Sequence, residues 1–379
     1  MSQVTEKTRK PPQHMTIFLC GDVMTGRGID QVLPHPSDPN LFEPYVRNAK
    51  QYVALAEKAN GPISQPVEFS YIWGDALTEL KQLSPDVSII NLETSITTSD
   101  DYWKYKDIHY RMNPKNIPCI TAAGIDCCVL ANNHVLDWGY KGLTETLQTL
   151  ENVNLKITGA GRNAEEAEAP AVMKIEGKGR VIVFSFGMAS SGVTSDWAAR
   201  IDRPGVNLLP DVSSESVAHI REAVQAVKRD RDIVIASIHW GGNWGYDIPH
   251  AHIQFAHELL DSADIDIIHG HSSHHPIGIE IYNNKPIIYG CGDFLNDYEG
   301  ISGYEEFRDD LTLMYFVRMA PVTGKLVSLE LVPMQIQRFR LHSASDLDVQ
   351  WLHNTLNREC RKFNNSVELT DENTLIVSW

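Results

Sequence analysis

The sequence predicts an α/β protein, a mixed sheet or two-sheet sandwich flanked by helices, with its functional site at the C-terminal ends of strands. Three observations carry this. Between residues 75 and 158, apolar runs of strand length alternate with helical patterns, the mark of parallel strands joined by crossover helices. Five apolar runs break off into residues of ligand or catalytic type. After the histidine-rich stretch near residue 270 the pattern turns to β hairpins.

The elements follow in order. Residues 1–14 read as a disordered lead, and residues 16–20 as the opening strand. Residues 25–70 lack clear periodicity and carry prolines at 34, 36, 39, 44, 62 and 66, so a long loop is expected around a helix at 41–58. Helix 75–83, strand 86–91, helix 114–123, strand 126–131, helix 139–151 and strand 155–158 alternate. A hairpin at 171–176 and 180–186 turns at Glu176-Gly177-Lys178-Gly179. Helix 214–229 leads to strand 232–238. Helix 249–263, with Ile253, Ala256, His257 and Leu260 at helical spacing, leads to strand 265–269. Strands 277–283, 286–290, 311–318 and 325–334 turn at Asn283-Asn284 and Thr323-Gly324. A helix at 346–357 and a strand at 374–378 close the chain. The main domain is expected over 15–340, with 341–379 packing on it.

The five strand ends hold the candidate chemistry. Residues 17–20 run into Gly21-Asp22, 87–90 into Asn91-Leu92-Glu93, and 128–131 into Asn132-Asn133-His134. Residues 233–238 run into His239-Trp240-Gly241, and 265–268 into His269-Gly270-His271-Ser272-Ser273-His274-His275. In open α/β sheets ligands bind outside the carboxyl ends of strands. Carboxylates, amides and imidazoles gathered from separate strands make one site rich in metal-ligand types.

Composition sets bounds. A chain of 379 residues with 42% hydrophobic content can bury a large core. Net charge of −16 argues against nucleic acid or an anionic membrane as partner. The six cysteines show no repeated CxxC spacing and sit largely in apolar patterns, as free thiols in a reducing compartment do. The polar N-terminus has no apolar signal region, and no run of about 18 apolar residues exists to span a membrane. A soluble cytoplasmic protein is expected.

Seven segments carry a resemblance: GDVMTGR (21–27), NLET (91–94), LANNHVLDWG (130–139), GAGRN (159–163), SIHWG (237–241), GHSSHHPIGIEIY (270–282) and GDF (292–294). The chain resembles the CapA family of poly-γ-glutamate capsule-synthesis proteins, within the calcineurin-like metallophosphoesterase superfamily. The resemblance implies a four-layer α-β-β-α sandwich with a metal site at the strand ends. It implies Asp22 as a first-metal ligand, Glu93 as the bridging carboxylate, and Asn133 and His239 as second-metal ligands. His134 would be the acid near the leaving group, and His271 and His274 would close the site. Divalent Mn, Zn, Fe or Ca is the implied cofactor, and a peptide or polyglutamate the implied substrate. Two departures stand out. Met24 occupies a position where the superfamily usually has histidine. Gly270-His271-Ser272-Ser273-His274 replaces a Gly-His-His-Pro-His motif. Two nitrogens are lost, which leaves one metal, a weakly held metal or none, with His269 and His275 in partial compensation.

Three functions are therefore weighed. One is metal-assisted hydrolysis of a phosphoester or amide. Another is Cα epimerisation of a peptide, which some CapA-like proteins are understood to perform, with Asp22 opposite His271 or His274 as acid and base. The third is a binding module that retains the pocket. Around the site, Arg111 offers a bidentate clamp for a carboxylate or phosphate. Gly241-Gly242-Asn243-Trp244-Gly245 lets backbone approach a ligand, with Trp240 and Trp244 to stack on it. Asp293 offers an acceptor that fixes the tautomer of a site histidine. Cys291 reads as a buried thiol rather than a nucleophile.

Overall fold

Strand β1 (Met15–Val23) is buried along its whole length, as a central strand covered on both faces must be. Its side chains divide by parity. Phe18 and Cys20 enter a core under one layer of helices, while Ile17 and Leu19 enter a second core on the opposite face. The same division recurs in a strand of the other sheet, β7 (Ile233–His239), where Val234, Ala236 and Ile238 face helices and Ile233 and Ile235 face β1's sheet. Two sheets thus share one core, and each has helices outside it. This is the four-layer α-β-β-α sandwich. The computed structural model describes residues 14–379, so the expected lead over 1–14 falls, apart from His14, outside the described residues.

Sheet one has ten strands among the described residues. At its centre β1 pairs in parallel with β2 (Val87–Leu92), which pairs with β3 (Cys127–Val129) and then β4 (Lys156–Thr158). Sheet two has six strands. It opens with the antiparallel pair β5 (Ala171–Ile175) and β6 (Gly179–Gly187), then runs in parallel through β7 to β8 (Ile267–His271). Strands β9 (Ile279–Tyr282) and β10 (Lys285–Ile288) close its far side, turning at Asn283 and Asn284, both at positive φ as a tight hairpin requires. The chain then returns to sheet one. A short strand, β11 (Asp293–Leu295), lies beside β1, and β12 (Leu311–Ala320) runs antiparallel to β1. Strands β13 (Lys325–Gln337), β14 (Arg340–Ser343), β15 (Ser366–Leu369) and β16 (Leu375–Ser378) extend that side.

Helices α1 (Lys50–Asn60), α2 (Ala76–Leu83) and α3 (Gly139–Asn152) cover sheet one, and α4 (Ser214–Val227) and α5 (His250–Ser262) cover sheet two. The last helix, α6 (Asp346–Cys360), behaves differently. Its Val349, Leu352, Leu356 and Cys360 join the core between the sheets, so the C-terminal segment plugs the sandwich.

The helix expected over 41–58 begins only at Lys50. Pro44 would interrupt any earlier turn, and the Asn48 side chain accepts from the Lys50 N–H at 3.0 Å. The helix expected over 114–123 is broken into a 3₁₀ turn (Pro114–Asn116) and one α turn (Pro118–Thr121), because Pro118 cannot continue the first. Strands β11, β14 and β15 were not anticipated. All six cysteines are free and buried. No helix among the described residues is long and apolar enough to cross a membrane.

Candidate metal centre

The parallel registers place the polar strand ends side by side. Asp22 lies opposite Asn91 across β1 and β2, and His239 lies opposite His271 across β7 and β8. Between Leu19 and Asp22 the register of β1 shifts, and this irregularity re-aims the aspartate. Gly21 is needed there because a Cβ would stand 1.6 Å from the Gly292 carbonyl oxygen.

The carboxylate half of the site comes from sheet one. Asp22 Oδ1 accepts from Asn91 Nδ2 at 2.6 Å, and Oδ2 accepts from the Ser272 N–H at 3.2 Å. Asn91 Oδ1 accepts in turn from Asn132 Nδ2 at 3.0 Å. Asn132 also donates to the Leu92 carbonyl, and its Oδ1 receives the N–H groups of His134 and Val135. Asn132 is therefore the bracket that turns the chain after β3. Asp22 and Glu93 are both buried and adjacent. Burial raises the pKa of each carboxyl; Asp293 then adds to the rise at Asp22, and Asp22 adds to it at Glu93.

The imidazole half comes from sheet two, and its proton positions follow from one carbonyl. His269 Nε2 lies 2.8 Å from the Cys20 carbonyl, which only accepts, so the proton sits on Nε2. Burial lowers this ring's pKa to about 4, so it is neutral and its Nδ1 is bare. Ser237 Oγ donates to that Nδ1 at 3.0 Å and accepts from His271 Nε2–H at 2.8 Å. His271, also held neutral by burial and then by its neighbours His239 and His269, presents a bare Nδ1 to the site. That atom stands 3.8 Å from Asp22 Oδ1 and 2.7 Å from His239 Nδ1. Asn133 Oδ1 likewise only accepts, so His239 Nε2–H donates to it at 3.1 Å, with Glu93 Oε1 at 4.0 Å, and the His239 Nδ1 that faces His271 is bare. These tautomers are assigned from the network.

One donor atom each from Asp22, His239 and His271 lies within 4.8 Å of the others, and all three residues are buried. With Glu93 beside them, the bare Nδ1 atoms of His239 and His271 face each other lone pair to lone pair. A divalent cation satisfies such a set, and one carboxylate with two neutral imidazoles suits Zn or Mn.

His134 stands at the rim. Its Nδ1 lies 2.6 Å from Asp137 Oδ2, its Nε2 is 3.6 Å from Glu93 Oε1, and its ring stacks on Tyr110 at 3.9 Å. Burial, then Lys106 and Arg27, hold its pKa well below the ordinary value. Lys106 Nζ is 2.7 Å from Asp137 Oδ1. His274 behaves oppositely. Burial alone would lower its pKa, but Asp293, at 2.9 Å from Nδ1, outweighs burial and raises it.

The structure thus gathers Asp22, Glu93, Asn133, His134, His239 and His271, with His274 held beside them by Asp293. Several expectations need correction. Arg111 is not a free clamp. Its guanidinium donates to the Ser99 and Asp38 carbonyls and to Asp100, and stacks over Trp138 at 3.8 Å. Trp240 is unavailable for stacking on a ligand, because its ring lies on His252 at 4.6 Å and its Nε1 donates to the Tyr289 carbonyl. The Asn243 side chain is exposed, while its carbonyl accepts from the His274 N–H. His274 is not among the three converging donors, and its Nδ1 pairs with Asp293. Asp22 and His271 do not face each other across a substrate. At 3.8 Å they belong to one cluster, with no room for a Cα between them.

Asn91 and Asn132 stand among the expected strand-end residues but without a role, and Asp137, Ser237 and Lys106 are not among the expected site residues. Asp137 lies three residues after His134 in the same motif, and Ser237 two before His239, on the same strand face. Those spacings were the available signal, and Lys106 had none.

Fold and site together define the class, an α-β-β-α sandwich with a cluster of carboxylate and imidazole side chains where its two sheets meet. The chain belongs to the family described as bacterial capsule synthesis protein PGA_cap, whose model matches residues 16–298. A probable polyglutamine synthesis accessory protein of Mycobacterium tuberculosis is 48% identical over 97% of this chain and 96% of its own length. The PGA biosynthesis protein CapA of Bacillus subtilis is 28% identical over 79% of this chain and 66% of its own length. The capsule biosynthesis protein CapA of Bacillus anthracis is 24% identical over 86% and 68%. A novel phosphatase of Mycoplasma pneumoniae matches in structure at a TM-score of 0.47 and 10% identity, over 86% of this chain and 95% of that one, too distant to carry an argument.

Proposed function

We propose that this chain is a metal-assisted hydrolase acting on a phosphoester or γ-linked amide of a peptide-like polymer. The observation that carries the reading is the buried Asp22, His239 and His271 donor set, within 4.8 Å. The substrate class rests on the family and on the names of the relatives, which concern capsule and polyglutamine synthesis. In this reading Asp22, His239 and His271 hold one divalent cation, with Glu93 and Asn133 beside it. When bound, such a cation supplies Lewis-acid activation of water and neutralises charge developing on the substrate. His134, oriented by Asp137, moves a proton at Nε2. The Asn91–Asn132 and Ser237–His269 networks fix the two halves of the site before substrate arrives.

Of the two pairs the epimerase reading allows, Asp22 and His271 are neighbours in one cluster, which leaves Asp22 with His274 as its remaining pair. The test begins with protein stripped by chelator and titrated with Mn²⁺ or Zn²⁺ by calorimetry. Metal-loaded protein is then assayed on p-nitrophenyl phosphate and on γ-glutamyl oligomers. About one equivalent bound and metal-dependent cleavage are expected. Failure to retain either ion, or deuterium exchange at Cα without cleavage, rejects the proposal.

A further inference from the structure

His134 is held by a carboxylate, and that carboxylate is held in turn by a loop. Asp137 lies between β3 and α3, and its side chain is fully buried. Its two oxygens have different partners. Oδ2 accepts from the Tyr110 N–H at 2.6 Å and lies 2.6 Å from His134 Nδ1. A carboxylate only accepts, so the proton of neutral His134 sits on Nδ1 and leaves Nε2 bare, 3.6 Å from Glu93 Oε1. Oδ1 has no hydrogen-bond partner, but Lys106 Nζ stands 2.7 Å from it. Lys106 is the one lysine or arginine in contact with this carboxylate among the described residues. Its Nζ is also 3.1 Å from His134 Nδ1. An ammonium and an N–H both donate, so Lys106 lies beside that nitrogen without bonding to it.

Three features separate this contact from a surface ion pair. The acid side is buried, so its charge depends on a partner cation. Burial raises the Asp137 carboxyl, and Lys106 comes first among the groups that oppose the rise. Next, the loop that brings Lys106 closes on Asp137 itself. The Trp103 N–H donates to the Asp137 carbonyl at 2.7 Å, and His109 Nε2 donates to the Trp103 carbonyl at 2.8 Å. Last, Tyr105 is fully exposed yet takes φ of 64°, a left-handed conformation that bulky residues disfavour. This turn aims Lys106 inward while Lys104, Tyr105 and Asp107 stay exposed. Without the ammonium, Asp137 lowers its cost by taking a proton or by rotating. Either change disturbs the acceptor that fixes His134.

We propose that Lys106 is a positioning residue: through Asp137 it keeps the His134 proton on Nδ1 and leaves Nε2 turned toward Glu93. Its effect on turnover rests on the hydrolase reading; its hold on the His134 ring does not.

The test uses full-length protein and the variant Lys106→Met, which keeps the stem and removes the charge. Lys106→Gln, which donates without a charge, takes its place if the methionine variant does not fold. Lys106→Cys alkylated with 2-bromoethylamine restores an ammonium at nearly the same length. The six native cysteines are buried, so the new thiol reacts first. The ¹⁵N shifts of the His134 ring are read in metal-free protein at one fixed pH. Wild type is expected to show a single Nδ1–H tautomer, the uncharged variant an average of tautomers, and the aminoethylated protein the wild-type pattern. On Mn²⁺-loaded protein with p-nitrophenyl phosphate, kcat should fall about ten- to a hundredfold in Lys106→Met, part of what a placed proton-transfer group supplies. KM and Mn²⁺ affinity should stay unchanged, and aminoethylation should restore most of kcat. Unchanged His134 shifts in the uncharged variant, or shifts that do not return on aminoethylation, overturn the assignment. So does Mn²⁺ affinity that falls in step with kcat, which would make Lys106 a support of the metal cluster. If wild-type protein binds no Mn²⁺ or cleaves nothing, the hydrolase reading fails, and the His134 shifts still decide the role of Lys106.

Discussion

The two sheets bring opposite chemistry to the same edge. Sheet one supplies carboxyls bracketed by amides: Asp22 on Asn91, and Asn91 on Asn132. Sheet two supplies imidazoles wired through a hydroxyl: His271 to Ser237 to His269 to the Cys20 carbonyl. Burial acts on both halves in the same physical way and with opposite consequences. It raises the carboxyl pKa values and lowers those of the imidazoles, because each charged form is desolvated. Neither half is a site by itself. Their junction presents neutral nitrogens to carboxyls whose ionisation burial opposes and a bound cation would favour. A dry edge of this kind suits a metal better than a free acid/base pair.

Breaking either half is the largest expected effect. Asp22→Ala on sheet one, or His239→Ala on sheet two, should each weaken Mn²⁺ or Zn²⁺ binding by about a thousandfold, on the order of 4 kcal/mol by the affinity relation. Calorimetry reads this directly, and a loss below tenfold in either variant would mean that the two halves do not share an ion.

Next comes the bracket of the carboxylate half. Asn132→Ala leaves Asn91 Oδ1, the Leu92 carbonyl and the N–H groups of His134 and Val135 without their partner. A loss of about 2–3 kcal/mol in urea denaturation is expected from buried groups left unsatisfied. A change under half that size would show that water replaces the amide.

The relay of the imidazole half is smaller. Ser237→Ala should lower cation affinity about tenfold, in the range typical of groups that orient a ligand, with Ser237→Thr restoring it. The ¹⁵N shifts of the His271 ring supply a readout beyond affinity, since loss of the hydroxyl frees the ring to exchange tautomers. An unchanged His271 spectrum would remove Ser237 from the account.

The smallest effect concerns pH. Burial, then Asp293 and Asp310, raise the Asp309 carboxyl to about 6. Its folded pKa lies above its unfolded value near 4, so the folded state holds the proton more tightly. Its contribution favours folding most at acid pH and is lost as pH rises through about 6. Asp309→Asn should therefore gain about 1 kcal/mol at pH 8 after allowing for solvent screening, and nothing at pH 4. Equal denaturation midpoints for both proteins at pH 8 would show that crowding of carboxyls at this edge has no cost.

Much of this was legible in residue order. Apolar runs ending at Asp22, Glu93, His134, His239 and His271 identify strands and their polar ends, because side-chain parity and burial are local consequences of sequence. Alternation of strand and helix over 75–158 gives parallel pairing, and parallel pairing puts those ends on one side. Proline and short-range capping decided more than periodicity did near Pro44 and Pro118, where the expected helices were cut short. What a side chain does once it arrives was not legible. Arg111 and Trp240 have the right chemistry for ligands, yet each is claimed by partners distant in sequence, Asp38 for one and Tyr289 for the other. Ser237 and His269 gained a role only because the second sheet packs its edge against the Cys20 carbonyl of the first. Sequence by itself determined which residues reach the edge. Tertiary packing alone decided which lone pairs stay bare there, because hydrogen-bond partners and desolvation are set by neighbours that the chain brings from hundreds of residues away.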